Sequence, residues 1–279
     1  MSRRSPLLID LKEGFRFIAK RYLAVAFVAA ASAASFTLTT SARGFTPNEV
    51  PSSFGNLTAY ALAGMEAFLP SPSEPFRFPV SWAVTMLLLA YITLDYPYRD
   101  LLGFGQKVLV SCESRRSWWL SKCCWTTLCV CLFWCVFYGV TALASIALGA
   151  SWGIEVSPTL EKVLRLKILI RFDEVDYALF LCSVPLITLA LCLIQLCLSL
   201  FLSPTVSYLV TFSQLFLAAF YYKAPFLLGN YLMSLRTPGV SGSGFPLIWG
   251  ALIAAFLSIT ATLVGEMHFS HMDILKKES

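Results

Sequence analysis

The sequence predicts an all-α polytopic membrane protein: six transmembrane helices, an amino-terminal amphipathic helix lying on the membrane surface, and a broken, re-entrant segment before the last span. Three observations predict it. The chain is 57% hydrophobic and only 13% charged, with a mean hydropathy of +0.71, whereas a soluble domain carries about 25% charged residues. Apolar runs close to the roughly 20 residues that cross a bilayer recur along the chain, and the segments between them hold the Lys, Arg, Pro and Gly. A chain of 279 residues has room for about six such spans with their loops. It leaves none for a soluble catalytic domain, so one membrane domain over 1–279 is expected.

The elements follow in order. Over residues 7–22, Leu8, Leu11, Phe15, Ile18 and Tyr22 recur at steps of three and four, with Lys12, Arg16 and Lys20 elsewhere on the wheel; this is an interfacial helix. Ser2-Arg3-Arg4 and Ala31-Ser32-Ala33 superficially resemble an export signal. A helical leader of that length carrying Asp10 and Glu13 is unlike a short basic n-region, so retention is expected. The first span, 23–40, has a small-residue stripe, Ala26, Ala30 and Ala34, suited to close helix approach. Residues 41–78 are proline-rich and extramembrane, with 54–69 able to form a helix resting on the outer surface.

The second span, 79–94, delivers the chain to a polar loop, 95–122, with two helix-capable pieces, Tyr98 to Leu102 and Gln106 to Cys112, parted by Gly103 and Gly105, and the third occupies 123–148. After 150–176 comes the fourth span, 177–202. Ser203-Pro204 then turns the chain directly into the fifth, 205–222. Pro225, Gly229 and Pro238 interrupt the apolar stretch 223–246, giving a half-helix or re-entrant segment of the kind tolerated at membrane depth when buried in protein. The sixth span, 247–265, carries Gly250, Ala254 and Ser258 on one face, and a tail with Lys276 and Lys277 follows.

Orientation comes from Lys and Arg. With the amino terminus inside, 13 of the 21 fall in the cytoplasmic segments, so both termini and 95–122 are expected in the cytoplasm. Lys162, Arg165, Lys167 and Arg171 run against this count. Trp118 and Trp119 read as belt residues at the headgroup level. The six spans contain no Asp, Glu, His, Lys or Arg, leaving no side-chain proton relay.

Other chemistry is weak in the sequence. The nine cysteines lie in or beside apolar runs and read as small packing residues, not a disulfide framework or a metal site. His268 and His271 beside Asp273 make a poor metal site in a tail. Gly239-Val240-Ser241-Gly242 matches an intramembrane-protease string, but both His lie on the opposite side, so no Ser-His pair assembles. No Walker A sequence occurs. Neither a metal nor a nucleic acid is expected as a partner.

Six spans entered through a surface helix, the loop motifs Tyr-Pro-x-Arg-Asp, Gly-x-Gln-Lys and Ser-Arg-Arg-x-Trp-Trp-Leu-Ser-Lys, and the broken segment Leu-Gly-Asn-Tyr-Leu-Met-Ser-Leu-Arg together resemble bacterial ABC-2 type transporter permeases. The layout matches over nearly the whole chain. The resemblance implies a permease in the cell membrane that forms a homodimer or heterodimer and docks a separate ABC-type ATPase, with ATP-Mg bound on that partner and no cofactor here. It places ATPase docking in 10–22 and 98–116, hence on Arg16, Tyr98, Arg99, Asp100, Gln106, Lys107, Arg115 and Arg116. Gln195, Gln214 and Asn230 are the candidates for a translocation path, although paired glutamines in a hairpin more often bond helix to helix. The rival expectation is a structural or sensor membrane protein that transports nothing.

Overall fold

The computed structural model describes residues 18–66, 76, 78–102, 115–150, 152–166, 172–221, 224–240 and 244–271, and of 95–102 only the helical backbone. Every described element is helical: α1 (Arg21–Ala42), α2 (Phe54–Ala61), α3 (Val80–Leu102), α4 (Arg115–Ala147), α5 (Leu160–Leu164), α6 (Glu174–Phe201), α7 (Pro204–Phe220), two 3-10 turns (Leu228–Leu232 and Ser234–Arg236) and α8 (Leu247–His271). Four of these, α1, α4, α6 and α8, are long and apolar enough to cross a membrane; α3 and α7 contribute the shorter apolar stretches Val80–Leu94 and Pro204–Phe220. The chain is a multi-pass helical membrane protein. Most of the predicted surface helix, including Arg16, and the loop residues Gln106 and Lys107 lie outside the described residues.

Hydrogen bonds between helices set their directions. Arg21 donates to the Tyr91 carbonyl at 3.4 Å while Ser32 and Ser81 pair at 3.2 Å, so α1 and α3 are antiparallel. Trp134 reaches Thr188 at 2.9 Å and Tyr138 reaches the Leu181 carbonyl at 3.0 Å, so α4 and α6 are antiparallel too. Ser203 accepts from the Val206 amide and Pro204 starts α7, an N-cap and an N1 proline in their preferred places. The predicted tight hairpin is there. The result is an alternating bundle in which α1, α4 and α7 begin, and α3, α6 and α8 end, at one pole, called here the basal end.

At the centre stands α6. A helix apolar all round belongs in an interior, and Tyr177, Phe180, Val184, Ile187 and Ala190 are fully buried. Pro185 lies inside this helix. Its missing N–H leaves the carbonyl four residues back, Leu181, without its helical donor, and the Tyr138 hydroxyl from α4 supplies the bond instead.

Three stretches converge on the other pole as a cap: 43–66, 152–166 and 224–240. Asn56 joins the first two, donating to the Pro51 carbonyl at 2.7 Å and accepting from the Ser157 amide at 2.8 Å. Thr58 and Tyr177 share a 2.8 Å hydroxyl contact, and Arg43 donates to the carbonyls of Lys162 and Val163. Outside the bundle, the Thr46 N–H and hydroxyl hold the Glu49 carboxylate below its ordinary pKa.

Several local expectations are corrected. Ala30 and Ala34 are exposed, and α1 packs instead through Tyr22, Val25, Ala29, Ser32, Ala33, Phe36 and Thr40. The bulkier stripe wins because it fills the gap toward α3 and α4. The helix expected over 54–69 stops at Ala61, and Gly55 to Thr58 are buried inside the cap, not laid on its surface. Among the described residues the broken segment contains no α-helical half: with prolines at 225 and 238, it closes in short 3-10 turns, the form such stretches take over three to five residues. Lastly, 95–102 and 115–122 of the expected polar loop are helix, the first continuing α3 and the second opening α4.

Candidate functional site

The basal end is built where the start of α4 meets the end of α8. Arg115 and Arg116 occupy the first turn of α4, the wrong end of that helix for cations. Their compensation comes from the neighbouring helix terminus, where the dipole favours them: Arg115 donates to the Ser270 carbonyl at 3.0 Å and Arg116 pairs with Glu266 at 2.9 Å. Both arginines stay exposed. They remain accessible to a partner while already holding α8.

The two tryptophans that follow are not belt residues. Trp118 and Trp119 are 2% and 1% exposed and sit in a second apolar core with Cys123, Leu193, Leu196, Cys197, Leu200, Ala261 and Phe269. Trp118 stacks on Phe269 with centroids 4.7 Å apart, and Trp119 donates its indole N–H to the Thr262 carbonyl at 2.8 Å. Room for that indole comes from Gly265: a Cβ there would lie 2.1 Å from the Trp119 ring. Lys122, expected in the loop, is buried with its ammonium 4.8 Å from the Trp118 ring centroid, a cation–π arrangement worth more once desolvated. The exposed aromatics at a bundle edge are instead Trp152, Tyr221 and Trp249, toward the cap. Helical phase would have shown the difference, since 118, 122 and 119, 123 continue the buried face of α4.

Of the other docking candidates, Tyr98, Arg99 and Asp100 fall on the last turns of α3, their side chains outside the described atoms. The structure therefore brings Arg115 and Arg116 together with Glu266, a partner the sequence did not suggest.

The three path candidates are dispersed. Gln195 is buried and donates to the Ala90 carbonyl at 2.8 Å, bonding α6 to α3 and not to its hairpin arm; its Oε1 has no partner among the described residues. Gln214 lies half-buried on α7 with its own Oε1 unpartnered there. Asn230 is in the cap, donating to the Ala224 carbonyl at 2.8 Å and accepting from Arg236.

Arg236 is the residue the sequence reading missed. Counted as an outer-loop charge, it is 1% exposed. Its Nε donates to Met65 O at 3.0 Å, one terminal nitrogen to Ala218 O and Asn230 Oδ1, and the other to Ala219 O at 2.9 Å and Glu66 O at 3.4 Å. Five donors meet five acceptors, the full capacity of a guanidinium. Two of those acceptors belong to the last turn of α7, where orphan carbonyls and the negative dipole end call for a cation. The available signal was a lone Arg in the otherwise uncharged stretch between Pro225 and Pro238.

No protein-family model, curated protein or solved structure matches this chain. Its function is therefore argued from its own residues.

Proposed function

We propose that the chain is the membrane-spanning permease subunit of an ATP-driven ABC exporter. In this reading α3 and α7 also cross the bilayer, making six spans, residues 7–22 lie on the inner surface, and both termini are cytoplasmic in the cell membrane. The 17 residues of α7 are the lower limit for a span. A separate ABC-type ATPase docks on 10–22 and 98–116 and hydrolyses ATP-Mg, and the permease works as a homodimer or heterodimer.

The observation that carries the reading is the projection of two helices past their apolar stretches. The apolar part of α3 ends at Leu94 while the helix runs on to Leu102; α4 begins at Arg115, well before its apolar run opens at Cys123. At 1.5 Å per residue each projection is about 12 Å long. Two helical stalks give a separate ATPase a stiff lever, where unstructured chain would absorb its motion. Arg99, Arg115 and Arg116 sit on those stalks.

Two experiments test it. Reporter fusions at Ser114 and Ser241 are expected to give opposite compartment signals, and equal signals refute the topology. In vesicles holding this chain and its ATPase, export is expected to persist when uncouplers collapse ion gradients and to stop when ATP is withheld. The reverse result refutes the permease.

A further inference from the structure

We propose that α8 is the element that carries motion from the basal end to the cap, gripped at Trp119 and delivering at Tyr231. Two contacts of the same kind mark its ends. At the basal end Gly265 lies flat against the Trp119 ring; toward the cap a Cβ at Gly250 would fall 2.5 Å from the Tyr231 ring. In each case glycine lets a backbone touch an aromatic face with no side chain between, so displacement on one side is transmitted to the other. Tyr231 in turn packs on Phe245 with centroids 5.3 Å apart and stands next to Asn230, which Arg236 holds.

Between these contacts α8 is the least buried of the long apolar helices. Only 17% of its apolar window is buried, against 61% for α6. Ile248, Leu252, Phe256, Ile259, Leu263 and Met267 face outward, where acyl chains as apolar as the side chains surround them. Its inner face is the small-residue line Gly250, Ala254, Ala261 and Gly265. No proline interrupts Leu247–His271, so the helix moves as a rod of roughly 37 Å. A rigid rod held at both ends conducts movement between them. Arg115 and Arg116 tie its basal end to the stalk on α4; that the stalk is what drives it rests on the permease reading above.

The test uses the full chain in lipid nanodiscs with Ser234→Cys as reporter, a cap position 1% exposed. Its reaction with an impermeant maleimide is followed at that peptide by mass spectrometry, so native cysteines do not interfere. Gly265→Ala drives a wedge between α8 and Trp119. It is expected to speed labelling about tenfold, within the range of coupling between distant sites, and Trp119→Phe added to it, by removing the struck ring atoms, is expected to return labelling close to the parental rate. Where Gly265→Ala fails to fold, Arg116→Glu and Glu266→Arg, singly and together, replace it, with the swapped pair expected to restore the parental rate. Unchanged labelling in a folded wedge or single reversal, or an equal rise in Tyr138→Phe, which does not touch α8, overturns the proposal. ATPase co-purification, measured separately, keeps the two ideas apart. A labelling response without any ATPase association sinks the permease and leaves the rod standing; association without the response does the opposite.

Discussion

Arg236→Ala is expected to be among the most destabilising single changes in this chain. The substitution removes all five donors at once and leaves the carbonyls of Met65, Glu66, Ala218 and Ala219, together with Asn230 Oδ1, facing a gap. A hydrogen bond from a charged donor is worth about 1.5–3 kcal/mol net, and five would sum beyond what single substitutions cost. Relaxation of the cap and entry of water reduce the loss to about 3–5 kcal/mol, the usual cost of breaking a buried charged network. At roughly 2–4 °C per kcal/mol for a chain of this order of size, the unfolding midpoint falls by roughly 6–20 °C. Arg236→Lys keeps the charge but offers three donors on a rotating head, and about half the loss is expected. Tryptophan-fluorescence melting in one detergent, all variants side by side, measures this. A midpoint for Arg236→Ala that coincides with the parent's refutes the keystone argument.

Tyr138→Phe is expected to cost about 1 kcal/mol, and Pro185→Ala to recover most of it by giving Leu181 O a helical donor again; a melting cycle without that recovery overturns the pairing. Gln195→Leu is expected to be nearly neutral in stability, within about 1 kcal/mol, because it removes an unpartnered acceptor along with one hydrogen bond. A fall in export with an unchanged melt would place Gln195 on the path, and unchanged export would take it off.

The apolar elements were legible because hydropathy alone sets them. The predicted runs 23–40, 123–148, 177–202 and 247–265 lie within or across α1, α4, α6 and α8, and Ser203-Pro204 announced its turn through capping chemistry. Helix over Tyr98 to Leu102 was legible; what the sequence hid was its continuity with α3 and the helix at 115–122, because polar residues in a helix look the same as polar residues in a loop. The same ambiguity misplaced Trp118 and Trp119: a Trp at an apolar boundary fits a headgroup belt and a buried clamp equally, until the helix is extended to Arg115 and its phase puts both rings on the buried face of α4. Arg236 was hidden for a related reason. Its acceptors are backbone carbonyls, which leave no trace in side-chain identity, whereas a carboxylate partner would have suggested itself.

The two buried cations also bear on what energy the protein runs on. A proton relay needs a group that gains and loses its proton at membrane depth. Arg236 does not deprotonate in proteins, and every N–H it has is engaged. Lys122 is the remaining candidate. It stands in the third turn of α4, about 10 Å along the helix from Arg115, against the Trp118 ring. That is close to the basal end, at the opposite pole from the cap in which Arg236 is buried. Lys122→Met keeps the length of the side chain and its contact with the indole while removing the charge. Under the ATP-driven reading, export by the variant is expected to retain its ATP requirement and its indifference to uncouplers, with a stability loss that includes about 2 kcal/mol from the lost cation–π contact. Export that is uncoupler-sensitive in the parent and abolished in a normally folded Lys122→Met protein would make Lys122 the coupling group and end the argument from a chargeless interior.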